Sequence, residues 1–341
     1  MQTAKIKKVL VVGGAGYVGA VLIPKLLKKG YKVRVFDLYI YSQSKELGKD
    51  IFGDLIYNSN FEQIKGDIRN AKAIDKAVLG IDAVIHLACI SNDPSFELNR
   101  DLGKSINYLA FFPFLEAINK YKIKRLIYVS TSSVYGLKKE KEVTENLPLE
   151  PLTDYALYKV FCEKAVVDHI PLSQTTWVII RPATICGYSP RLRLDLTVNI
   201  LTNQAVNKKI INVFGGKQER PNIHIDDITD LYVKLFEYPD NKIAGKIFNA
   251  GFDNLSIIKV AQKVKAKIGK DIKIIITPTN DNRSYRVTSK KIEKELGWFP
   301  RKTVDDAIGD LIKAFKQGKI KNPLTNKMYY NIEMMKKIHL K

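Results

Sequence analysis

Cysteine and histidine are scarce in this 341-residue sequence. The three cysteines, Cys89, Cys162 and Cys186, lie far apart and form no Cys-x-x-Cys pair, and the four histidines show no metal-ligand spacing. These absences exclude a disulfide framework and predict no metal site. Scattered, unpaired cysteines are typical of a reducing compartment, so we expect a cytoplasmic protein.

Long hydrophobic runs are also missing. Lysines at 5, 7 and 8 precede an apolar stretch at 9–24, which imitates a signal peptide. Four glycines in that stretch form a nucleotide-binding pattern instead, and no other run is long enough to span a bilayer. We therefore expect no membrane association. The 45% hydrophobic and 27% charged content excludes a disordered or collagen-like chain.

Acidic residues are too few to balance the basic ones, and the net charge is +21. The excess lies at the two ends: +7 in residues 1–50, +2 in 51–250 and +12 in 251–341. It consists mostly of lysine, without an arginine-rich run or an aromatic-basic RNA motif, so no nucleic-acid partner is expected. The charge is interpreted as a solvated lysine surface, with an anionic ligand near the C-terminal part as the alternative.

Apolar runs and helical periodicities alternate along the first half of the chain. Strands are predicted at 8–12, 31–36, 61–65, 83–88, 125–130 and 176–181, and helices at 16–29, 71–79, 102–121 and 154–168. Pro24 predicts a kink in the first helix, or a shorter helix. This alternation predicts a Rossmann-type α/β fold with a doubly wound parallel sheet.

The regular alternation stops after residue 188. A strand is predicted at 246–249, and helices at 194–207, 226–237, 257–268, 289–296 and 304–317. We interpret residues 1–188 as the dinucleotide-binding domain, with later returns to its core around 220–250. Residues 189–341 are interpreted mainly as a smaller, interleaved C-terminal lobe that binds the substrate.

A glycine-rich turn joins the first predicted strand to the first helix, with the sequence Gly-Gly-Ala-Gly-Tyr-Val-Gly from Gly13 to Gly19. Its glycines allow a tight turn and a close approach to a pyrophosphate at the helix N-terminus. Asp37 closes the second strand, 21 residues after Gly16. A carboxylate there accepts hydrogen bonds from ribose hydroxyls and repels the 2′-phosphate of NADP, which predicts NAD as the cofactor. Asp67, after the third strand, is placed to reach the adenine edge.

Tyr155 and Lys159 are spaced one helical turn apart, on one face of a predicted helix. An ammonium near a phenol lowers the pKa of the phenol, so Tyr155 could act as a base near neutral pH. The spacing alone is common, but with the glycine turn and Asp37 it becomes specific.

With these features the sequence resembles the extended short-chain dehydrogenase/reductase family, which includes nucleotide-sugar epimerases and dehydratases. The resemblance runs from about Lys7 to Ile320. Its marks are the turn at 13–19, Gly66-Asp67-Ile68-Arg69, His86-Leu87-Ala88, Asn107, the Ser-Thr-Ser-Ser-Val-Tyr-Gly segment at 130–136, Tyr155 with Lys159, Arg181-Pro182, residues 220–227, and Leu296-Gly297-Trp298 followed by Pro300.

The resemblance implies roles for individual residues. Thr131 would hydrogen-bond the sugar hydroxyl that is oxidised, Tyr155 would take its proton, and Lys159 would hold the nicotinamide ribose. Asn107 would be a structural residue of the fold. The implied NAD site comprises Gly13, Gly16, Tyr17, Val18, Gly19, Asp37, Asp67, Ile68, Leu87, Ala88, Cys89, Tyr155, Lys159 and Pro182.

Departures from the family pattern narrow the chemistry. The family's 4,6-dehydratases have an acidic pair directly after the catalytic threonine, where this chain has Ser132 and Ser133. Hydroxyls cannot replace those acids in water elimination. The cysteine of 3,5-epimerases is also missing, and Cys186, in place of a usual tyrosine, is interpreted as a small buried residue. The remaining expectation is an NAD-dependent 4-epimerase. A 4-dehydrogenase or 4-ketosugar reductase is the alternative, and a nucleic-acid-binding member of the fold is a remote one.

A nucleotide-sugar substrate carries a diphosphate, which needs cations nearby. Arg220 and Arg283 match family positions that contact phosphate, and Asn199 lies in a helix that usually does so. Arg191 and Arg193 could contact the phosphate or the sugar, or pair with neighbouring acids. The implied substrate site comprises Ser91, Asn92, Thr131, Ser132, Ser133, Thr184, Arg193, Asn199, Arg220 and Arg283. His224 is expected to pack or cap locally, and the family implies a homodimer formed by the helices at 102–121 and 154–168.

Overall fold

In the computed structural model, residues 5–279 and 284–338 are described, and within them seven strands form one parallel sheet. Its strands are β1 (Lys8–Val12), β2 (Lys32–Asp37), β3 (Phe61–Lys65), β4 (Ala83–His86), β5 (Arg125–Val129), β6 (Thr176–Pro182) and β10 (Lys246–Ala250). Their order is β10-β6-β5-β4-β1-β2-β3, and every neighbouring pair is parallel. The strand order reverses direction at β1, which confirms the doubly wound Rossmann prediction.

Helices cover both faces of this sheet. In the first half they are α1 (Gly19–Lys28), α2 (Lys49–Phe52), α3 (Ala71–Val78), α4 (Asp93–Phe96), α5 (Arg100–Lys104), α6 (Phe111–Lys120) and α7 (Asp154–His169), with 3-10 turns at Gly53–Tyr57 and Ser132–Tyr135. Apolar side chains of β1 alternate between the two faces, so Val9 and Val11 join one core cluster while Leu10 and Val12 join the other. Burial on both faces explains the almost continuous apolar composition of the strand.

Helix α1 is shorter than predicted, because residues 13–18 form the turn that precedes it. Gly19 begins the helix against the backbone of Gly14, and a Cβ at Gly19 would lie 2.0 Å from the Gly14 carbonyl oxygen. Pro24 lies inside α1, where it lacks the N–H that a helix residue normally donates.

The helix predicted at 102–121 is not continuous. A π-helix at Ser105–Leu109 separates α5 from α6. At its centre the side chain of Asn107 accepts a hydrogen bond from Ile90 N at 2.8 Å and donates to Ile90 O at 3.0 Å. The wider turn thus directs a polar side chain inward to fasten the loop after β4, which confirms the structural role implied for Asn107.

Among the described residues, five strands outside the main sheet were missed by the sequence analysis. They are β7 (Thr184–Cys186), β8 (Ile210–Phe214), β9 (Glu219–His224), β11 (Asp253–Ser256) and β12 (Lys273–Thr277). Strands β11, β9 and β7 form a three-stranded sheet, and β12 pairs with β8. The helices here are α8 (Thr197–Lys208), α9 (Ile225–Lys234), α10 (Asp240–Ile243), α11 (Ile257–Ile268), α12 (Lys290–Leu296), α13 (Val304–Lys316) and α14 (Asn331–Ile338), with a 3-10 turn at Lys327–Tyr329.

Helices α8, α11 and α13 enclose a separate apolar core with β8. Strand β10 instead returns to the main sheet beside β6. Among the described helices, none combines the length and the apolar character needed to cross a bilayer.

Candidate active site

A cavity of about 510 Å³ opens at the carboxyl ends of the parallel strands, between the main sheet and the C-terminal lobe. Ligands of open α/β sheets bind in this position. Most residues predicted from the sequence line the cavity: Gly13, Gly16, Tyr17, Val18, Asp37, Ile68, Leu87, Ala88, Cys89, Ser91, Asn92, Thr131, Ser132, Ser133, Tyr155, Lys159, Pro182, Thr184, Arg193 and Arg220.

Three predicted residues do not line it, and a fourth, Arg283, lies outside the described residues. Gly19 packs against Gly14, as described above. The carboxylate of Asp67 faces the side chain of Arg69, with 2.6 Å between Oδ2 and Nη2. The structure therefore places Asp67 in a local ion pair rather than on the wall that the adenine would contact.

Asn199 is the third residue away from the wall, and it is fully buried. Its Oδ1 accepts a hydrogen bond from Gly187 N at 3.0 Å, and its Nδ2 donates to Arg193 O at 2.8 Å. Both ends of the amide thus hold the loop between β7 and α8, and the predicted phosphate contact stays a prediction.

Gly13 and Asp37 shape the end of the cavity near β1 and β2. Gly13 has a φ of 81°, and a Cβ there would lie 2.6 Å from the Ala88 backbone. The carboxylate of Asp37 accepts hydrogen bonds from Ala15 N at 3.0 Å and Tyr39 N at 2.8 Å. Burial raises the pKa of Asp37, and these N–H groups oppose the shift. The carboxylate is therefore fixed at the strand end, on the cavity wall.

Thr131, Tyr155 and Lys159 converge on the cavity from two elements. Thr131 follows β5 and begins the 3-10 turn, where its Oγ1 accepts from Ser133 N at 3.1 Å. Tyr155 and Lys159 lie on one face of α7, which Thr153 caps by accepting from Ala156 N. The strand end and the helix start thus bring together three side chains of the predicted catalytic set.

The electrostatics of Tyr155 differ from the expectation. Burial raises the pKa of the Tyr155 phenol well above its ordinary value, and Cys89 and Asp93 add to the shift. Hydrogen bonding from Thr131 and the charge of Arg193 oppose it. Lys159 Nζ donates to Val129 O at 2.9 Å. The prediction of a lowered phenol pKa is therefore wrong for this structure, in which burial dominates.

Arg193 both lines the cavity and pairs with an acid. Its Nε lies 2.9 Å from Asp195 Oδ1, and its Nη1 donates to Ser91 Oγ at 3.0 Å. Of the roles left open for Arg193, the ion pair with a neighbouring acid is therefore seen.

Residues 9–251, more than half of the chain, match the NAD dependent epimerase/dehydratase family. The chain belongs to this family. UDP-glucose 4-epimerase 2 of Arabidopsis thaliana is 28% identical over 331 residues, covering 89% of this chain and 94% of the relative. UDP-glucose 4-epimerase of Lactobacillus helveticus is 27% identical over 333 residues, covering 91% and 97%.

A solved structure shares the architecture of this epimerase/dehydratase family member. UDP-glucuronic acid 4-epimerase from Bacillus cereus, in complex with UDP-glucuronic acid and NAD, has a TM-score of 0.81 and 28% identity. The match covers 91% of this chain and 99% of that chain. The predictions of the family, of an enzyme and of NAD as the cofactor are therefore confirmed.

The cavity fits NAD on its own geometry. Gly16 lines the cavity, and a Cβ placed on it would meet only the Gly13 carbonyl oxygen, at 3.4 Å. The backbone of Gly16 therefore leaves room for a diphosphate. Asp37 offers carboxylate oxygens at the strand end to the hydroxyls of a ribose. The residues that would hold NAD therefore extend from Asp37, past the glycine turn, to Lys159.

Several residues of the cavity wall were not predicted. They include Tyr41, Asp195, Tyr285, Asn331 and Met335, while Arg191 was considered but not assigned. Asn331 and Met335 lie beyond residue 320, where the family resemblance ends. Tyr285 lies next to the phosphate-binding position expected at 283, which was the one sequence signal pointing to it. Its hydroxyl is 3.3 Å from Ser132 Oγ.

Two local interpretations are also confirmed. His224 caps α9, because its Nδ1 accepts from Asp226 N at 3.1 Å. Asp226 and Asp310 lie beside His224 and could form a cation site with it. Lys302 Nζ already supplies positive charge there, 2.5 Å from Asp226. Cys186 is a small buried residue, as expected.

Proposed function

We infer that this protein is an NAD-dependent 4-epimerase of nucleotide sugars, with a UDP-sugar as the substrate class. One observation carries this inference: Thr131, Tyr155 and Lys159 share the cavity wall with Ser132 and Ser133, where a dehydratase would need an acidic pair. The wall thus holds the groups for oxidation at the sugar 4-position but lacks the acids for water elimination at these positions.

The chain's own groups would move the proton of the sugar hydroxyl. Thr131 Oγ1 and the Tyr155 phenol meet at one point of the wall, where the 4-hydroxyl would lie between them. NAD, when bound, would supply the hydride acceptor and a positive charge. A positive charge near Tyr155 would favour the tyrosinate and so counteract the effect of burial on the Tyr155 pKa. After the hydride is removed, Tyr155 holds the proton and returns it when the sugar presents its other face.

The UDP part of the proposal rests on relatives and on charge. The relatives named above act on UDP-glucose, and the similar structure holds UDP-glucuronic acid. In this chain Arg220 lines the cavity, and a guanidinium can bind a diphosphate. Arg283 remains a predicted second contact.

The proposal is tested by incubating the purified protein with UDP-hexoses and identifying the products by NMR. We expect a 4-epimer to form, and Tyr155→Phe to lower the rate at least 100-fold, as loss of a general base does. Tyr158→Phe is the matched control, since it removes a hydroxyl from the same helix outside the cavity wall. If no UDP-hexose is converted, or if both variants react alike, the assignment is wrong.

A net dehydrogenase or 4-ketosugar reductase would use the same three residues. The experiment separates these functions, because an epimerase ends each turnover with NAD in its starting form. Stoichiometric NADH with an accumulating 4-keto sugar would assign a dehydrogenase. Salt-sensitive RNA binding that Tyr155→Phe leaves intact would instead favour the nucleic-acid-binding alternative.

We also propose a homodimer. Aromatic side chains of the π-helix, α6 and α7 form an outer cluster: Tyr108, Phe112, Tyr158 and Phe161. Phe161 remains 39% exposed and Leu109 50% exposed, so these helices present an apolar patch that a partner would cover. Light scattering should give twice the 38.7 kDa chain mass, and Phe161→Glu should give the monomer. A monomeric parent protein would contradict this proposal.

A further inference from the structure

The loop between β7 and α8 is fastened to the glycine turn. Tyr17 donates from its hydroxyl to Gly187 O at 2.7 Å, and Ser189 Oγ donates to Tyr17 O at 2.8 Å. Both bonds are buried, so the loop cannot shift without breaking them. Arg191, two residues after Ser189, is therefore held beside the turn where a dinucleotide diphosphate would lie.

Arg191 is a buried cation whose charge the protein only partly balances. Its guanidinium carbon lies 3.4 Å from the centroid of the Tyr41 ring, and its side chain is 5% exposed. The nearest acids are Asp37 and Asp195, and Asp195 is already paired with Arg193. Within the described residues, the buried Nε of Arg191 has no hydrogen-bond partner. Burial lowers the pKa of Arg191 to about 10, so an anionic ligand would stabilise it.

The C-terminal helix completes this part of the wall through Asn331. The Asn331 Oδ1 accepts from Arg191 Nη2 at 2.7 Å, and its Nδ2 donates to Ser91 Oγ at 3.1 Å. Its backbone N–H donates to Asp195 Oδ2 at 3.0 Å. One buried side chain at the start of α14 thus joins the loop after β4 to the loop that carries Arg191.

We propose that Arg191 is a ligand of the NAD diphosphate, and that Asn331 positions it, so that the C-terminal helix retains the cofactor. Arg191 lies between Asp37, where the adenine ribose would lie, and the Arg193–Asp195 pair. That location corresponds to the middle of a dinucleotide, whereas Arg220, which also lines the cavity, is the residue expected to contact the sugar diphosphate. The idea builds on the proposed function in one respect: an epimerase returns the hydride to its substrate and benefits from keeping its NAD.

The test is the rate at which the cofactor leaves. Protein loaded with NADH is mixed with excess NAD, and the loss of bound-NADH fluorescence is followed. Arg191→Met should accelerate dissociation tenfold or more, since a charge-assisted hydrogen bond is lost. Asn331→Ala should give a smaller acceleration in the same direction. The rate of NADH dissociation from Arg191→Lys should lie between the rates of Arg191→Met and the parent. Lysine keeps the positive charge but lacks the two parallel N–H donors of the guanidinium.

Controls separate positioning from damage to the fold. Asn326→Ala removes an asparagine cap from the same C-terminal segment, away from the cavity wall, and should leave the rate unchanged. Thermal unfolding of every variant reports a general loss of structure, and Asn331→Leu, which keeps the size of the side chain and also removes the acceptor for Arg191, replaces Asn331→Ala if that variant unfolds.

Parent-like NADH release in Arg191→Met would overturn the proposal. If that variant also loses affinity for UDP in calorimetry, Arg191 is a ligand of the substrate instead. Failure of the proposed function is a separate result: altered NADH release without any 4-epimer would leave the role of Arg191 standing and refute the epimerase.

Discussion

Glu163 and Arg181 form a buried ion pair, with 2.6 Å between Oε2 and Nη2. Ser130 Oγ donates to Glu163 Oε1 at 2.5 Å. Glu163 lies one helical turn after Lys159, and Ser130 directly precedes Thr131. Glu163 therefore ties α7 both to β6, through Arg181, and to the end of β5, through Ser130, and so fixes the relative position of the two halves of the catalytic set.

Breaking this pair should destabilise the protein strongly. Arg181→Met leaves the Glu163 carboxylate buried without its cation, which should lower the free energy of unfolding by about 3 kcal/mol in urea titrations. The double variant Glu163→Leu/Arg181→Met should recover part of the loss. Arg100→Met, which breaks an exposed pair with Glu97, is the control and should change nothing measurable. A loss in Arg181→Met no larger than in Arg100→Met would show that the buried pair is dispensable.

Asp37 should decide the preference for NAD over NADP. Asp37→Asn keeps the size of the side chain but removes the charge that repels a 2′-phosphate, so the ratio of the two affinities should fall about tenfold or more. Calorimetry on cofactor-stripped protein measures both affinities. Asp67→Asn is the matched control, because Asp67 faces Arg69 instead of the cavity. If Asp67→Asn weakens NAD binding as much as Asp37→Asn does, Asp67 also contacts the cofactor and Asp37 alone does not bind its adenosine half.

Cys89 should be the cysteine that NAD protects. Cys89 is half-buried on the cavity wall, whereas Cys162 and Cys186 are buried. Burial raises the pKa of the Cys162 thiol to about 12, so it should stay unreactive in the folded protein. Mass spectrometry after brief iodoacetamide treatment should show modification of Cys89 in stripped protein and at least tenfold slower modification with NAD bound. Equal labelling in both states would place Cys89 away from the cofactor.

His86 should make the protein sensitive to acid. It is buried among Phe111, Phe114 and Tyr128, and burial lowers its pKa to about 3. In the unfolded chain the imidazole binds its proton near pH 6.5. The contribution of neutral His86 to the stability of the fold is therefore complete above that pH and is lost as the pH falls toward 3. Between pH 6.5 and 4.5, the free energy of unfolding from urea titrations should therefore fall by about 2 kcal/mol less in His86→Leu than in the parent protein. Identical pH dependence in both proteins would contradict a neutral, buried His86.

Local sequence patterns predicted the elements of the main sheet, because strands buried on both faces consist of apolar runs. The strands of the C-terminal lobe escaped prediction. Strand β9 (Glu219–His224) mixes charged, proline and asparagine residues, and its pairing with β7 and β11 is determined by tertiary packing. The π-helix at Ser105–Leu109 could not be predicted either, since the helical periodicity of the sequence continues through it. The wider turn depends on the contact of Asn107 with Ile90, which is distant in sequence.

The same distinction applies to the site. Tyr155 and Lys159 are neighbours on one helix, so their spacing, taken with the glycine turn and Asp37, predicted that they act together. Arg191 and Asn331 are 140 residues apart, and their contact depends on how α14 folds back over the cavity. The prediction of a lowered pKa for Tyr155 was wrong for a related reason. The sequence spacing shows that a lysine is near the phenol, but it does not show that the phenol is buried.

The central claim is that the sugar is oxidised at its 4-position and that the same hydride returns. The most direct measurement follows UDP-glucose carrying deuterium at C4 by NMR. The account predicts an equilibrium mixture of the two 4-epimers, both with deuterium retained at C4 and without net formation of NADH. Deuterium lost to solvent, or a 4-keto product that accumulates with stoichiometric NADH, would contradict it.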